Sequence, residues 1–153
     1  MPKKLIIVSA SSSRKRESKE PIPAIERYNG IYFRTLRKYL REGKLRNTDI
    51  LINSKKFGLI RANKKIPYYE PSPGNWGSLG LNKETVDRIR KKNLHKLKKL
   101  VNAYSEIYVN VGREYMKLIE GFENFTSCKI IYATGRGLGP KALHMKEWIN
   151  KID

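Results

Sequence analysis

The stretch Lys3-Lys4-Leu5-Ile6-Ile7-Val8-Ser9-Ala10-Ser11-Ser12-Ser13-Arg14-Lys15-Arg16 decides the fold. Residues 5–8 form a continuous apolar run with no polar alternation, the pattern of a strand buried on both faces. The run breaks into small hydroxyl residues and then cations, and the polar, Pro-containing sequence to Ala24 reads as a loop. Short apolar runs then alternate with helical patterns. Tyr32, Phe33, Leu36, Tyr39 and Leu40 are spaced for a helix over 32–40, and Gly43 supplies its stop. Residues 49–52 predict a second strand. Residues 57–80 read as irregular and lid-like, with Pro67, Pro71, Pro73 and four glycines.

The longest helical pattern runs from about 83 to 104, with Asn82 as its N-cap. At 100° per residue, Val86, Ile89, Leu94, Leu97, Leu100, Val101 and Tyr104 share one face. Arg88, Lys91, Lys92, His95, Lys96, Lys98 and Lys99 share the opposite one. Arg90 falls within the apolar stripe, and the pattern offers no reason for it. Residues 107–111 predict a third strand, 113–122 a helix and 129–133 a fourth strand. Pro140 opens a last helix to about Ile149. This order predicts a single α/β domain over 1–153, a mostly parallel sheet of about four strands flanked by helices in three layers.

Charge narrows the function. The 153 residues carry a formal net charge of +19. Residues 1–103 hold 26 Lys and Arg against 8 Asp and Glu, whereas residues 104–153 hold 7 against 6. An AT-rich genome would raise Lys, but it would raise Glu as well, so codon bias does not account for the excess. A basic field of this size attracts polyanions by steering and counterion release, which points to nucleic acid, DNA or RNA. The rival, a membrane surface, lacks an anchor or lipidation motif, and no run approaches the 18 apolar residues of a spanning helix. One cysteine, Cys128, precludes an internal disulfide and a Cys-rich zinc site. A reduced, cytoplasmic setting is expected, with no metal and no cofactor. His95 and His144 read as surface or packing residues.

In an open parallel sheet, ligands bind outside the carboxyl ends of the strands. Those ends carry Ser9, Ser11, Arg14 and Lys15 after the first strand, and Ser54 and Lys56 after the second. Arg113 follows Gly112 after the third, and Gly137, Gly139 and Lys141 follow the fourth. Glycines admit an anion to the backbone, helix starts offer free N–H groups, and arginine binds phosphate bidentately. Each piece alone also reads as an ordinary turn or loop. Together they predict a nucleotide or nucleobase-type anion site, with a small nucleotide as its ligand. Tyr68, Tyr69 and Trp76 suit base stacking, or they cover the core edge. Glu70 is a carboxylate in basic surroundings. It is a candidate base, nucleophile or sugar-hydroxyl acceptor, or simply a surface ion pair. Tyr69 and Glu70 are the candidate catalytic residues. Arg88, Lys91, Lys92, Lys98 and Lys99 are expected to track a nucleic-acid backbone.

Several short segments, in order, resemble a domain-of-unknown-function family related to the bacterial peroxide-stress protein YaaA. They are Ile7-Val8-Ser9-Ala10, Tyr28-Asn29-Gly30-Ile31-Tyr32-Phe33, Asn53-Ser54-Lys55-Lys56-Phe57-Gly58-Leu59, Ile66-Pro67-Tyr68-Tyr69-Glu70, Gly112-Arg113-Glu114-Tyr115, and Gly137-Leu138-Gly139 to Trp148. A fainter likeness is to the core of archaeosine synthase. The resemblance implies an α/β domain linked to DNA handling under stress or to nucleobase modification. The family's cysteine position is Ala10 here, which argues against thiol chemistry. Three functions are thus open: a nucleic-acid binder with a nucleotide site, an enzyme acting on a nucleobase or N-glycosidic bond, and a non-catalytic DNA-binding accessory. Oligomeric state is not specified.

Overall fold

The computed structural model describes residues 3–11, 14–16, 19–70 and 79–152. The elements in order are β1 (Lys3–Ser9), β2 (Ile22–Pro23), α1 (Ala24–Arg27), α2 (Ile31–Arg41), β3 (Thr48–Ser54), β4 (Gly58–Arg61), β5 (Lys65–Ile66), α3 (Lys83–Leu100), β6 (Tyr104–Asn110), β7 (Lys129–Tyr132) and α4 (Leu138–Ile152). Five strands form a mixed sheet in the order β4-β3-β1-β6-β7, and β2 pairs with β5 in a small separate ribbon. β3, β1, β6 and β7 run parallel, and β4 alone is antiparallel.

β1 is the central strand because its run is apolar at every position. Leu5, Ile6, Ile7 and Val8 are all fully buried. Ile6 and Val8 pack into a cluster with Phe33 and Leu36 of α2 and Met145 and Ile149 of α4. Leu5 and Ile7 pack into another with Leu97 of α3, Val101, Ile119 and Phe122. Each such side chain contributes roughly 1.5–3 kcal/mol of burial free energy. One polar residue in this run would break one of the two clusters.

Three expectations are corrected. The sheet has five strands rather than four, because the segment read as irregular contains β4. This strand follows β3 through a tight reversal, Lys55-Lys56-Phe57, closed by Ser54 Oγ accepting the N–H groups of Lys56 and Phe57 at 3.1 Å each. Gly58 ends the reversal at φ +72°, where a side chain is strained, and a Cβ there would lie 2.8 Å from Asn93 Oδ1. The helix expected over 113–122 is instead two 3₁₀ turns, Tyr115–Leu118 and Phe122–Phe125, separated by the left-handed Gly121. Tyr104 belongs to β6 rather than to the preceding helix. Its hydroxyl donates to Asp49 Oδ2 of β3 at 2.7 Å.

Within α3 the cap is Asn82, whose side chain accepts the Thr85 N–H at 2.8 Å. Arg90, unexplained by the helical pattern, pairs with Asp87 one turn back at 2.6 Å. Asn93 is fully buried and ties the helix down at two points. It accepts the Leu59 N–H at 2.9 Å and donates to the Leu118 carbonyl at 3.0 Å. Lys96, expected on the solvent side, donates to the Leu59 carbonyl at 2.9 Å. Thus the main-chain groups of Leu59 on edge strand β4 are engaged by α3 side chains.

Two arginines are structural. Arg27 is fully buried and donates to the carbonyls of Lys15, Glu20 and Ile66. Arg37 donates to the carbonyls of Ile25 and Tyr28, both at 2.8 Å, and to Asn29 Oδ1 at 2.6 Å. They pin the segment between β1 and α2 over the sheet's carboxyl edge. No helix is long and apolar enough to cross a membrane, among the described residues.

Candidate functional site

The chain passes from β1 to β3 on one side, then crosses back to β6 on the other side of β1. Strand order therefore reverses between β1 and β6, where connections leave in opposite directions and open a crevice. A cleft of about 530 Å³ lies there. Ser9, Ala10 and Ser11 form one wall, Asn29 to Arg34 at the start of α2 a second, and Gly112 with Tyr115 a third. Gly137, Leu138 and Lys141 close it at the start of α4.

The walls are held by short polar contacts. Ser9 Oγ accepts the Gly112 N–H at 3.1 Å, joining the loops that leave β1 and β6. Ser11 Oγ accepts the Gly30 N–H at 3.2 Å, and a Cβ on Gly30 would lie 2.8 Å from Ser11 Cβ. Beneath the cleft, Asn110 ends β6 and Asn53 lies near the end of β3, both essentially buried. Asn53 donates to the Tyr115 carbonyl at 3.1 Å, and Asn110 reaches Met145 Sδ at 3.7 Å. The side-chain carbonyl oxygen of each has no hydrogen-bond partner among the described residues. Burial pushes the Tyr32 hydroxyl above its ordinary pKa, with Asn110 opposing. Burial does the same to Tyr115, which also feels Tyr69 and Arg14.

That coupling marks a second, adjoining cluster. The Arg14 guanidinium lies 3.9 Å from the Tyr69 ring centroid, and Lys56 Nζ lies 4.8 Å from the same centroid. The Tyr69 hydroxyl shares a 2.5 Å hydrogen bond with that of Tyr28. Phe57 meets the Tyr69 ring edge-on at 5.4 Å. Burial first, then the Tyr69 hydroxyl, drive the Tyr28 phenol well above its usual range, so it stays neutral. Arg14 also donates weakly to the Tyr69 carbonyl at 3.4 Å, and its buried Nε has no partner among the described residues. Two cations thus flank one aromatic ring, with no ion pair to a carboxylate for either among the described residues. Cation–π attraction supplies roughly 0.5–2 kcal/mol each, while the two positive charges repel. An anion bound beside both cations would relieve that repulsion.

The residues expected at this edge divide. Ser9, Ser11, Gly137 and Lys141 line the cleft. Arg14, Lys56 and Tyr69 form the adjoining cluster. Ser54 closes the β3–β4 reversal and also hydrogen-bonds Tyr28 of that cluster. Lys15 pairs with Glu26 at 3.9 Å. Arg113 and Gly139 are exposed and do not line the cleft. Glu70 is 68% exposed, pairs with Arg16 at 3.6 Å and does not line it either. Tyr68 sits under Arg16 at 5.3 Å. Ser12, Ser13, Pro71, Pro73 and Trp76 lie outside the described residues. Of the five cations expected to track a backbone, Arg88 and Lys92 line one cavity beside β4, and Lys99 lines another. Lys91 and Lys98 line neither, and Lys98 lies 6.0 Å from the Phe125 ring.

Sequence reasoning missed Tyr32 and Asn110 as site residues. Neither carries a sequence signal of bordering the cleft. His144 is a packing residue, its Nδ1 2.7 Å from the Tyr108 hydroxyl. No group of three His, Cys, Asp or Glu suited to a metal ion occurs among the described residues. Set beside known proteins, this chain matches no family model, no curated relative and no solved structure.

Proposed function

We propose that the chain is a nucleic-acid-binding protein that holds a nucleotide or nucleobase-type anion in the cleft between β1 and β6. The observation that carries this reading is the position of the cleft. It occupies the strand-order reversal, with two helix starts, three glycine-bearing walls and Lys141 around it. The neighbouring Arg14–Tyr69–Lys56 group supplies cation charge and a stacking face beside it. In this reading the two apolar clusters are the two sides of one three-layer domain, working in the cytoplasm.

The enzymatic alternative, with Glu70 as carboxylate, has less support because Glu70 is exposed and paired with Arg16. Ala10 in the cleft wall, where the YaaA-related family has cysteine, also favours binding over thiol chemistry. The test is calorimetric titration with nucleoside monophosphates of the wild type, Lys141→Glu and Lys56→Glu. We expect each reversal to weaken binding by at least about tenfold, roughly 1.4 kcal/mol. Unchanged affinity in both variants, or no binding by the wild type, refutes the cleft as the site. Glu70→Gln should leave binding intact, and turnover that disappears in this variant would restore the enzymatic reading.

A further inference from the structure

A second surface lies on the other side of the β3–β4 reversal. Two cavities, of about 420 and 520 Å³, run between β4 and α3 and meet at Ile60, Lys64 and Lys96. Leu59, Ile60, Phe57 and Ile89 give their walls apolar character. Arg88, Lys92, Lys96 and Lys99, spaced four, four and three apart, put one face of α3 along them. Lys64 and Arg61 line the β4 side. Among the described residues, no carboxylate lines either cavity. Burial, and then Lys92 and Lys64, pull the Lys96 ammonium below its ordinary pKa, so these charges repel one another. Holding like charges together around an apolar trough costs stability, and a polyanion laid in it removes that cost.

We propose that this trough is the backbone track for a single-stranded nucleic acid, leading to the candidate nucleotide site. Lys56 supports the direction of the path, because it lines the trough and also lies over the Tyr69 ring. A single strand fits the surface better than a duplex. Cations along a concave, apolar-walled trough follow one backbone and leave unstacked bases an apolar face to cover. A duplex keeps its base faces stacked inside and presents phosphates on two strands. Among the described residues, the lining holds one amide side chain, Asn63, and no array for reading base edges, so binding is sequence-tolerant. The proposal rests on the nucleic-acid reading above, to which it adds the form of the strand and its route.

The test uses fluorescence anisotropy across a salt series, with labelled oligothymidylate of about 20 nucleotides and a duplex of equal length. The trough variant is Lys64→Ala/Arg88→Ala/Lys92→Ala, all exposed positions. The control is Lys38→Ala/Arg41→Ala/Lys146→Ala, which removes the same charge from exposed positions of α2 and α4. We expect the wild type to prefer the single strand. The trough variant should have a log K against log salt slope shallower by about 2, from three contacts at about 0.7 each. The control should keep the wild-type slope. Preference for the duplex, or equal slope changes in the two triple variants, overturns the proposal. Nucleoside monophosphate titration of the same variants separates the two readings. Retained mononucleotide binding with a failed slope test leaves the cleft and removes the trough, and the converse result leaves the trough alone.

Discussion

Asn93→Ala tests how α3 is fixed to the sheet. The side chain is fully buried, accepts the Leu59 N–H at 2.9 Å and donates to the Leu118 carbonyl at 3.0 Å. Alanine removes both partners at once. A buried backbone group left unpaired costs about 1–3 kcal/mol, so two cost about 2–6 kcal/mol. Alanine's better helix propensity returns at most about 0.7 kcal/mol. The expected net loss is therefore about 1–5 kcal/mol, a substantial share of the 5–15 kcal/mol that typically holds a domain. Urea denaturation followed by far-ultraviolet circular dichroism reads it directly. With a slope of about 1–3 kcal/mol per molar, the midpoint should fall by roughly 0.5 M or more. Lys91→Ala, exposed two positions earlier, should stay within about 0.5 kcal/mol of wild type. A loss below about 1 kcal/mol for Asn93→Ala would refute the view that this residue clamps β4 and the following 3₁₀ turn to the helix.

Three further outcomes are expected. Gly58→Ala should destabilise by more than the roughly 1–2 kcal/mol of a left-handed side chain, because its Cβ also meets Asn93 Oδ1; urea midpoints check this. Arg37→Met leaves the buried Ile25 and Tyr28 carbonyls and Asn29 Oδ1 without their donor, and should cost about 2–6 kcal/mol, at about 1–3 kcal/mol per buried carbonyl, seen as a thermal midpoint lower by about 10 °C. Burial and the Asp49 carboxylate push Tyr104 up to about 12 from 10.0. The folded state holds this proton more tightly than the unfolded state does. The associated stability is thus complete below pH 10 and lost as pH rises toward 12. Tyr104→Phe should lack this part of the alkaline decline when urea midpoints are compared across that range.

The central strand, α2, α3 and α4 were legible because each carries a long or unbroken apolar pattern. β4 was not. It contributes four residues, Gly58-Leu59-Ile60-Arg61, too few to show a period, and the cations around it gave the segment the composition of a loop. The turns after β6 looked helical because Tyr115, Leu118, Ile119 and Phe122 have helical spacing, and only Gly121 breaks the continuity. At the candidate site, the rule for open sheets points to residues directly after strand ends, of which Ser9, Ser11, Gly137 and Lys141 line the cleft. It does not point to Tyr32 or Asn110, since an aromatic in a helix and an asparagine in a strand carry no signal of facing a crevice. Charge counting likewise cannot separate Arg27 and Arg37, spent on buried carbonyls, from the cations that remain available to a ligand.

The place of β1 between β3 and β6 has a consequence for biosynthesis. Lys4 pairs in register with Thr48 on one side and Glu106 on the other. During synthesis the most apolar strand emerges first, yet its second neighbour is made about 100 residues later, several seconds at about 5–20 residues per second. For that interval one edge of Leu5–Val8 has no native partner, in the kind of segment that recruits other chains. Lys3 and Lys4 stand directly before it, where like charge on neighbouring nascent chains keeps them apart. In the finished sheet Lys4 changes role and pairs with Glu106 at 3.4 Å, so the charge that guards the unfinished strand is neutralised when its partner arrives.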